Sequence, residues 1–295
     1  PTAMLDQHGV LQTDEDILKD ISKDTYRKRL ENRKIKPGLE DMQQMKENLC
    51  KKRLEEAQRN KTPPWTMEEF LQVLGHLKKD AARDPIGYAN ELFHPEVAGT
   101  DLKNAVLTLM NLIKQTQTYP NKMEWCNISS IWKRKGPMNN FDSYRGIFRI
   151  TVLRNILDRL IYNDEYYKVD QNLSDSNVGG RKGRNVRDNI FVINAILNSI
   201  TKQNADAHDL QIYDVDKCFD SMWLHECVNA LFEAGLNNDK LPLLFMSNST
   251  AQVAIKTATG ITDRISILKI VMQGTVWGSL FCVALMDKLV KLVNK

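Results

Sequence analysis

The chain has no long apolar run, no Cys-x-x-Cys pair and no internal repeat, and each lack removes a class of protein. A bilayer span needs about 18 to 20 apolar residues in a row, so no transmembrane helix is read from it. The five cysteines (Cys50, Cys126, Cys218, Cys227, Cys282) are odd in number and lack metal-ligand spacing. That pattern suits a reducing compartment inside the cell and argues against structural zinc. His225 and Cys227 stand two apart without further partners, which favours ordinary helix positions over ligands. The missing repeat excludes solenoids and propellers, and no signal peptide is visible. Disorder is excluded too, because 42% hydrophobic and 26% charged residues are ordinary globular values.

What is present is 295 residues with a net charge of +4, enough chain for a full core and two lobes. The charge is uneven. From Lys122 to Arg187 there are 13 Lys/Arg against 7 Asp/Glu, a larger surplus than the whole chain carries. Such a segment fits a polyanionic partner or a solvated basic surface. The first residue is Pro1 and the last ones follow an apolar helical pattern, Leu285 to Val293, so the chain reads as a piece of something longer.

Helical spacing places a first helix after Thr13, with Ile17, Ile21 and Leu30 on one stripe, ending near Lys36-Pro37-Gly38. A second, highly charged helix over Leu39 to Asn60 carries Leu39, Met42, Met45, Leu49 and Leu54 as its apolar face and reads as peripheral. Thr62-Pro63-Pro64-Trp65 is a hinge. Thr66 and Glu69 then form a capping box for a helix to about Lys79, with Phe70, Leu71, Leu74 and Leu77 inward. Further helices are expected over Tyr88 to Phe93, Asp101 to Thr118, Thr151 to Tyr166, Arg187 to Ile200 and Trp223 to Ala234. Strands are expected at Ile128 to Trp132, which ends in the basic turn Lys133-Arg134-Lys135-Gly136-Pro137, and at Gln252 to Lys256 paired with Ile265 to Val271. Helices with a small antiparallel sheet make an α+β protein.

The most pointed stretch is Tyr213-Asp214-Val215-Asp216-Lys217-Cys218-Phe219-Asp220-Ser221. Asp209 to Val215 alternates like a short strand, which would put Leu210, Ile212 and Asp214 on one face, continued by Asp216. A carboxylate aligned with buried Leu and Ile is costly unless paired or metal-bound. It asks for a cation, or it is a loop acid at a strand end.

Four blocks, in order, resemble the reverse transcriptases of non-LTR (LINE-class) retrotransposons over about residues 68 to 295. They are His76 to Phe93; Trp125 to Ile147, with Asp142-Ser143-Tyr144-Arg145-Gly146-Ile147; Gly179-Gly180-Arg181-Lys182-Gly183-Arg184-Asn185-Val186-Arg187-Asp188; and the acidic segment with Gln273-Gly274-Thr275-Val276-Trp277-Gly278-Ser279. Three departures stand out: Gly146 replaces the family's proline in Tyr-Arg-Pro-Ile, Gly180 replaces a phenylalanine, and Gly278-Ser279 replaces Ser-Pro, which leaves the turn into the next helix undefined.

The resemblance implies the fingers and partial palm of a right-hand polymerase, with boundaries at 1–62 for a charged helical extension, 63–205 for fingers and 206–295 for partial palm. It implies that Asp214 is the catalytic metal ligand, Val215 a carbonyl ligand, Phe219 the aromatic that excludes a ribose 2′-hydroxyl, and Gln273 and Gly274 the lining of the incoming nucleotide. Lys133 and Arg145 are candidates for the triphosphate, or for backbone-phosphate and surface contacts. Arg181, Lys182, Arg184 and Arg187, set among glycines, suit a template strand or a basic turn that caps the helix after Asn185. Asp188 reads as that helix's early acid, and Asp216 and Asp220 as structural.

The implied cofactor is Mg2+, two ions in the full-length parent with Mn2+ as an alternative, and the implied partners are an RNA template, a DNA primer or product and deoxynucleoside triphosphates, with no membrane, in cytoplasm and nucleus. Two-metal nucleotidyl transfer also needs an aromatic-x-Asp-Asp hairpin. After Gln273 the only acid is Asp287, so the chain is expected not to extend a primer alone. Two other classes compete: a non-catalytic nucleic-acid-binding remnant of a retroelement, and a DxD glycosyltransferase built on Asp214 and Asp216, which would require a doubly wound sheet.

Overall fold

The computed structural model describes residues 2–31, 37–202, 212–215, 218–258, 260–268 and 271–293. Ten α-helices and six strands lie among them. A small hairpin of β1 (Met4–Leu5) and β2 (Leu11–Gln12) leads into α1 (Glu15–Glu31) and α2 (Glu40–Arg59). Then follow α3 (Met67–Gly75), α4 (Thr100–Thr116), β3 (Trp125–Trp132), β4 (Tyr144–Ile150), α5 (Val152–Gln171) and α6 (Val186–Lys202). The last third contains α7 (Cys218–Ser221), α8 (Leu224–Glu233), α9 (Lys240–Ser249), β5 (Thr250–Lys256), β6 (Ile265–Leu268) and α10 (Val276–Val293).

Local chemistry fixes several of these ends. Asp14 Oδ1 accepts the amides of Asp16 and Ile17 at 3.0 Å and starts α1. Thr66 and Glu69 form the expected reciprocal capping box at α3. The α5 start is tied down twice: Thr151 Oγ1 accepts the Arg154 amide, and Asp84 Oδ2 accepts the Val152 amide. Because Asp84 Oδ1 also accepts the amides of Ile86, Gly87 and Tyr88, one carboxylate folds its own loop and anchors it to a distant helix.

The second sheet is mixed, in the order β4-β3-β5-β6, with β3 parallel to β5 and the outer pairs antiparallel. This corrects the all-antiparallel expectation, although β5 and β6 pair as the sequence suggested. Strand β4 escaped the sequence reading because Arg145 and Arg149 interrupt its apolar residues. Its alternation is nevertheless clean: Tyr144, Gly146, Phe148 and Ile150 stand opposite Trp132, Ser130, Ile128 and Cys126.

That face of the sheet forms one apolar cluster with Met4, Leu18, Tyr26 and Leu30, so α1 packs on the sheet. The stripe that docks is Leu18-Ser22-Tyr26-Leu30, with Ile21 partly buried, whereas Ile17 is exposed. A separate core packs α5 residues Ile156, Leu157, Leu160 and Ile161 against α3, α4, α8, α9 and α10. Helix α2 lies on α8 through Cys50, Leu54 and Ala57, while Leu39, Met42, Met45 and Leu49 face outward. Its inward face is largely polar: Gln43 meets His225, Lys46 pairs with Glu226, and Arg53 reaches Asn229 O and Glu233. Polar docking explains why apolar spacing pointed to the wrong side. Helix α6 forms where expected but leaves Ile190, Phe191, Val192 and Ile196 exposed.

The expected acidic strand is not one. Ile212 and Tyr213 are 84% and 85% exposed, and residues 212–215 pair with no strand among the described residues. On the outer edge of β4, the Phe148 amide instead donates to Gln273 O. Of the apolar residues in 209–215, Ile212, Tyr213 and Val215 are exposed. Leu210 and Asp216 lie outside the described residues.

Tyr26 reaches the sheet because position 146 has no side chain. A Cβ there would stand 2.6 Å from Tyr26 Cε1 and 3.2 Å from Ile128 Cγ2. Gly146→Ala is therefore expected to lower unfolding free energy by about 1–3 kcal/mol in denaturant titrations. In a Tyr26→Ala background the added cost should shrink; strictly additive losses would show that the ring contact is not the cause.

Candidate functional site

A cavity of about 710 Å3 opens beside β4, and four segments far apart in sequence meet there. The β3–β4 hairpin contributes Lys133, Lys135 and Asp142 to Gly146; the acidic segment contributes Asp214, Val215, Cys218, Phe219 and Asp220; Gln273 closes one side and α1 supplies Tyr26, Arg29 and Leu30. Lys133, Arg145, Asp214, Val215, Phe219 and Gln273 thus line one space. Gly274 does not line it. Its φ of +100° and the 3.0 Å gap between a built Cβ and Ile147 Cγ2 show that its role is to pass close to β4.

Each wall has a specific support. Lys133 continues the ladder through its amide to Ser143 O, and its ammonium donates to Asp142 O at 2.8 Å, which closes the hairpin. Phe219 sits on the single turn of α7 and packs against the bare first turn of α10: a Cβ on Gly278 would be 3.4 Å from the ring and 2.6 Å from Met272 O. Thr275 resolves the turn that the sequence left undefined. Its hydroxyl donates to Met272 O and accepts the Gly278 amide at 3.2 Å, starting α10 without proline. Beneath Phe219, the Cys218 and Cys282 sulfurs are 3.3 Å apart as free thiols. Burial, with the Cys218 contact, pushes the Cys282 thiol up to about 12, so it is protonated and unreactive at neutral pH.

The residue that sequence reasoning missed is Arg29. Its guanidinium donates to Phe141 O at 3.2 Å, lies 3.5 Å from Asp142 Oδ1 and 3.8 Å from Asp220 Oδ2, and stacks 5.3 Å from the Tyr26 ring centre. It joins the hairpin to α7 across the cavity and fits the structural role expected of Asp220. Tyr26 is held by a 2.8 Å hydrogen bond with Ser130 Oγ. Only the i, i+4 spacing of Tyr26 and Leu30 hinted that this end of α1 is buried.

The basic run divides by burial. Arg181 is 6% exposed. Its Nε donates to Asp170 Oδ1 at 2.7 Å, Nη1 donates to Ser174 O and Asn177 O, and Nη2 donates to Asp170 O. With its donors committed inward, Arg181 is a folding residue, and its assignment to a template strand is withdrawn. Lys182, Arg184 and Arg187 remain exposed, with Arg184 paired to Asp175 at 2.7 Å. Asp188 accepts the Asn185 amide through Oδ2 at the start of α6, a local capping role.

Oxygen donors from Asp214 and the Val215 carbonyl suit a hard divalent cation such as Mg2+. No group of three or more His, Cys, Asp or Glu placed to hold a metal occurs among the described residues, which do not include Asp216. Nor does any described helix have the length and apolarity to cross a membrane.

No protein family and no curated protein matches this chain. The functional reading accordingly rests on the sequence blocks and on the cavity's own chemistry.

Two outcomes test these supports. Arg181→Ala should cost about 3 kcal/mol of stability, because it strands the Asp170 carboxylate. The Arg181 hydrogen bond holds the Asp170 carboxyl below its ordinary range. The pair's contribution is therefore full above the usual carboxylate pKa and is lost as pH falls through the depressed one. Unfolding curves of wild type and variant should converge on acidification, and a pH-independent gap would argue against the ion pair. Gly278→Ala should destabilise by about 1–3 kcal/mol and raise the exposure of Phe219 to solvent, read by hydrogen exchange over α7.

Proposed function

We propose that this α+β chain is the fingers and partial palm of a retroelement reverse transcriptase, and that the cavity beside β4 receives a magnesium-bound deoxynucleoside triphosphate. The observation that carries the reading is the convergence, in one cavity, of Lys133, Arg145, Asp214, Val215, Phe219 and Gln273 from three separate segments.

The lining is mixed in charge, with Arg29, Lys133, Lys135 and Arg145 against Asp142, Asp214 and Asp220. This division suits a cation-bound triphosphate: the basic hairpin neutralises phosphate oxygens while the Asp214 carboxylate and Val215 carbonyl hold the ion. Magnesium, when bound, stabilises charge on the transferring phosphoryl group. Lys133, just after β3, and Arg145 on β4 orient the triphosphate. The Phe219 ring, braced by the bare backbone at Gly278, presents an apolar wall to the sugar, where a 2′-hydroxyl would lose its hydration without gaining a partner. In this reading 63–205 forms the fingers and 206–295 part of the palm; residues 1–62 are more than an appendage, since α1 completes the cavity wall.

The DxD glycosyltransferase alternative requires a doubly wound parallel sheet, and the mixed four-stranded sheet among the described residues is not one.

Titration of the chain with a fluorescent deoxynucleoside triphosphate tests the proposal. Binding should need Mg2+ and fall at least about tenfold in Asp214→Ala or Lys133→Ala with Arg145→Ala, in line with charge-assisted contacts. Phe219→Ala should instead narrow the preference for deoxy- over ribonucleotides. Binding indifferent to Asp214 and Mg2+ would sink the nucleotide site; oligonucleotide binding that persists without any nucleotide site would mark a non-catalytic nucleic-acid module.

A further inference from the structure

A second concavity, of about 440 Å3, lies on the other side of the turn that carries Gln273 into α10. It is lined by His76 from the end of α3, Arg159, Tyr162 and Asn163 from α5, Lys182 from the glycine-rich loop and Ser279 from α10, along with two valines. No carboxylate is among its lining residues. Two cations and an imidazole thus converge on a hollow whose described lining offers no carboxylate, and the Arg159 guanidinium is part-buried there.

Each of the three is aimed by its neighbours. Arg159 Nε donates to Asn155 Oδ1 at 3.0 Å, one helical turn back, which restrains the guanidinium where it lines the hollow. Burial depresses its pKa by more than the neighbouring Asp158 charge restores. His76 Nδ1 is committed to Gln72 O at 2.6 Å, so Nε2 is its outward nitrogen. Lys182 is the most constrained: its amide donates to the Tyr166 hydroxyl at 2.6 Å, and its ammonium rests 4.6 Å from the Tyr166 ring centre and 4.9 Å from that of Tyr162. Aromatic faces hold the cation without neutralising it. Next to them, Tyr167 meets Tyr166 edge-on and is 65% exposed, leaving a solvent-facing ring beside the basic hollow.

We infer that this hollow is a subsite for single-stranded nucleic acid, in which Arg159 and Lys182 hold a backbone phosphodiester and Tyr167 stacks a base. A cationic pocket beside an exposed ring is the combination by which single strands are bound without sequence preference. The inference rests on the polymerase reading for the identity of the strand, and it extends that reading by moving the strand contact from Arg181 to Arg159 and the tyrosine cluster.

The probe is a fluorescein-labelled oligouridylate of about 16 nucleotides, titrated with the whole chain by anisotropy at several salt concentrations. Arg159→Gln with Lys182→Gln should flatten the slope of log affinity against log salt by about 0.7 for each phosphodiester no longer neutralised, and Arg159→Lys should keep the wild-type slope. Tyr167→Ala should weaken binding roughly 5- to 100-fold with the slope unchanged, while Tyr167→Phe binds like wild type. Circular dichroism and thermal unfolding monitor folding. Lys182→Gln alone, at an exposed position, serves if the Arg159 variants do not fold.

An unchanged slope in a folded Lys182→Gln variant would overturn the subsite. So would inorganic phosphate or dTTP competing as well as unlabelled oligouridylate, since that would make the hollow a free-phosphate pocket. The two readings fail separately: loss of Mg2+-dependent nucleotide binding in Asp214→Ala tests the first cavity only, and the Arg159, Lys182 and Tyr167 variants should leave it unchanged.

Discussion

The candidate nucleotide cavity depends on a helix docking against a strand that has no side chain at the point of contact. Gly146 lets the Tyr26 ring lie on β4, and the buried ring fixes the end of α1 on the sheet. Once α1 is there, Arg29 one turn onward can reach the hairpin carbonyl of Phe141 and the carboxylates of Asp142 and Asp220. The basic hairpin and the acidic segment are thereby held across a cavity that neither strand pairing nor the helical core would close. A cation at this junction also offsets the acids around it, Asp142 and Asp220.

Burial, more than sequence neighbourhood, decides what a basic residue does in this chain. Arg181 and Lys182 are adjacent, yet Arg181 is saturated by Asp170 and main-chain carbonyls while Lys182 rests on tyrosine rings with no carboxylate lining its hollow. The first spends its guanidinium on folding the glycine-rich loop, and the second is presented by that folded loop. Arg159 shows the converse. It lies inside a helix with no basic neighbour in sequence, and only the meeting of α3, α5 and α10 brings it to a cationic hollow.

The same distinction explains what could be read from the sequence. Features determined by a few adjacent residues were legible: the Thr66–Glu69 capping box, the β5–β6 pairing about Gly260, and the helices at Asp101, Thr151 and Trp223. Six of the lining residues, Lys133, Arg145, Asp214, Val215, Phe219 and Gln273, were legible through the resemblance, whereas Tyr26 and Arg29 of α1 belong to no such block. Illegible were the features decided by partners far away. The alternation at 209–215 promised a strand, but the described part of it is exposed chain. The stripe Leu39-Met42-Met45-Leu49 promised a buried face, but α2 docks through Gln43, Lys46 and Arg53, whose partners on α8 lie more than 170 residues ahead.

The glycines at which the chain departs from the reverse transcriptase blocks it resembles mark those long-range constraints. Gly146 stands where proline is usual, and Tyr26 fills the space a side chain would take. Gly278 stands where serine is usual, and the Met272 carbonyl and Phe219 ring fill that space, with Thr275 supplying the cap that proline would otherwise have helped to set. Gly180 stands where those enzymes have a phenylalanine, at φ +69°, a conformation that side chains resist, and a Cβ there would make ordinary contact with Val283 and Ser279 of α10. At 146 and 278 a missing side chain admits a specific neighbour, so those two positions are coupled to packing elsewhere, whereas at 180 the backbone conformation itself calls for glycine. A larger residue at 146 or 278 would have to displace Tyr26 or the Met272 turn.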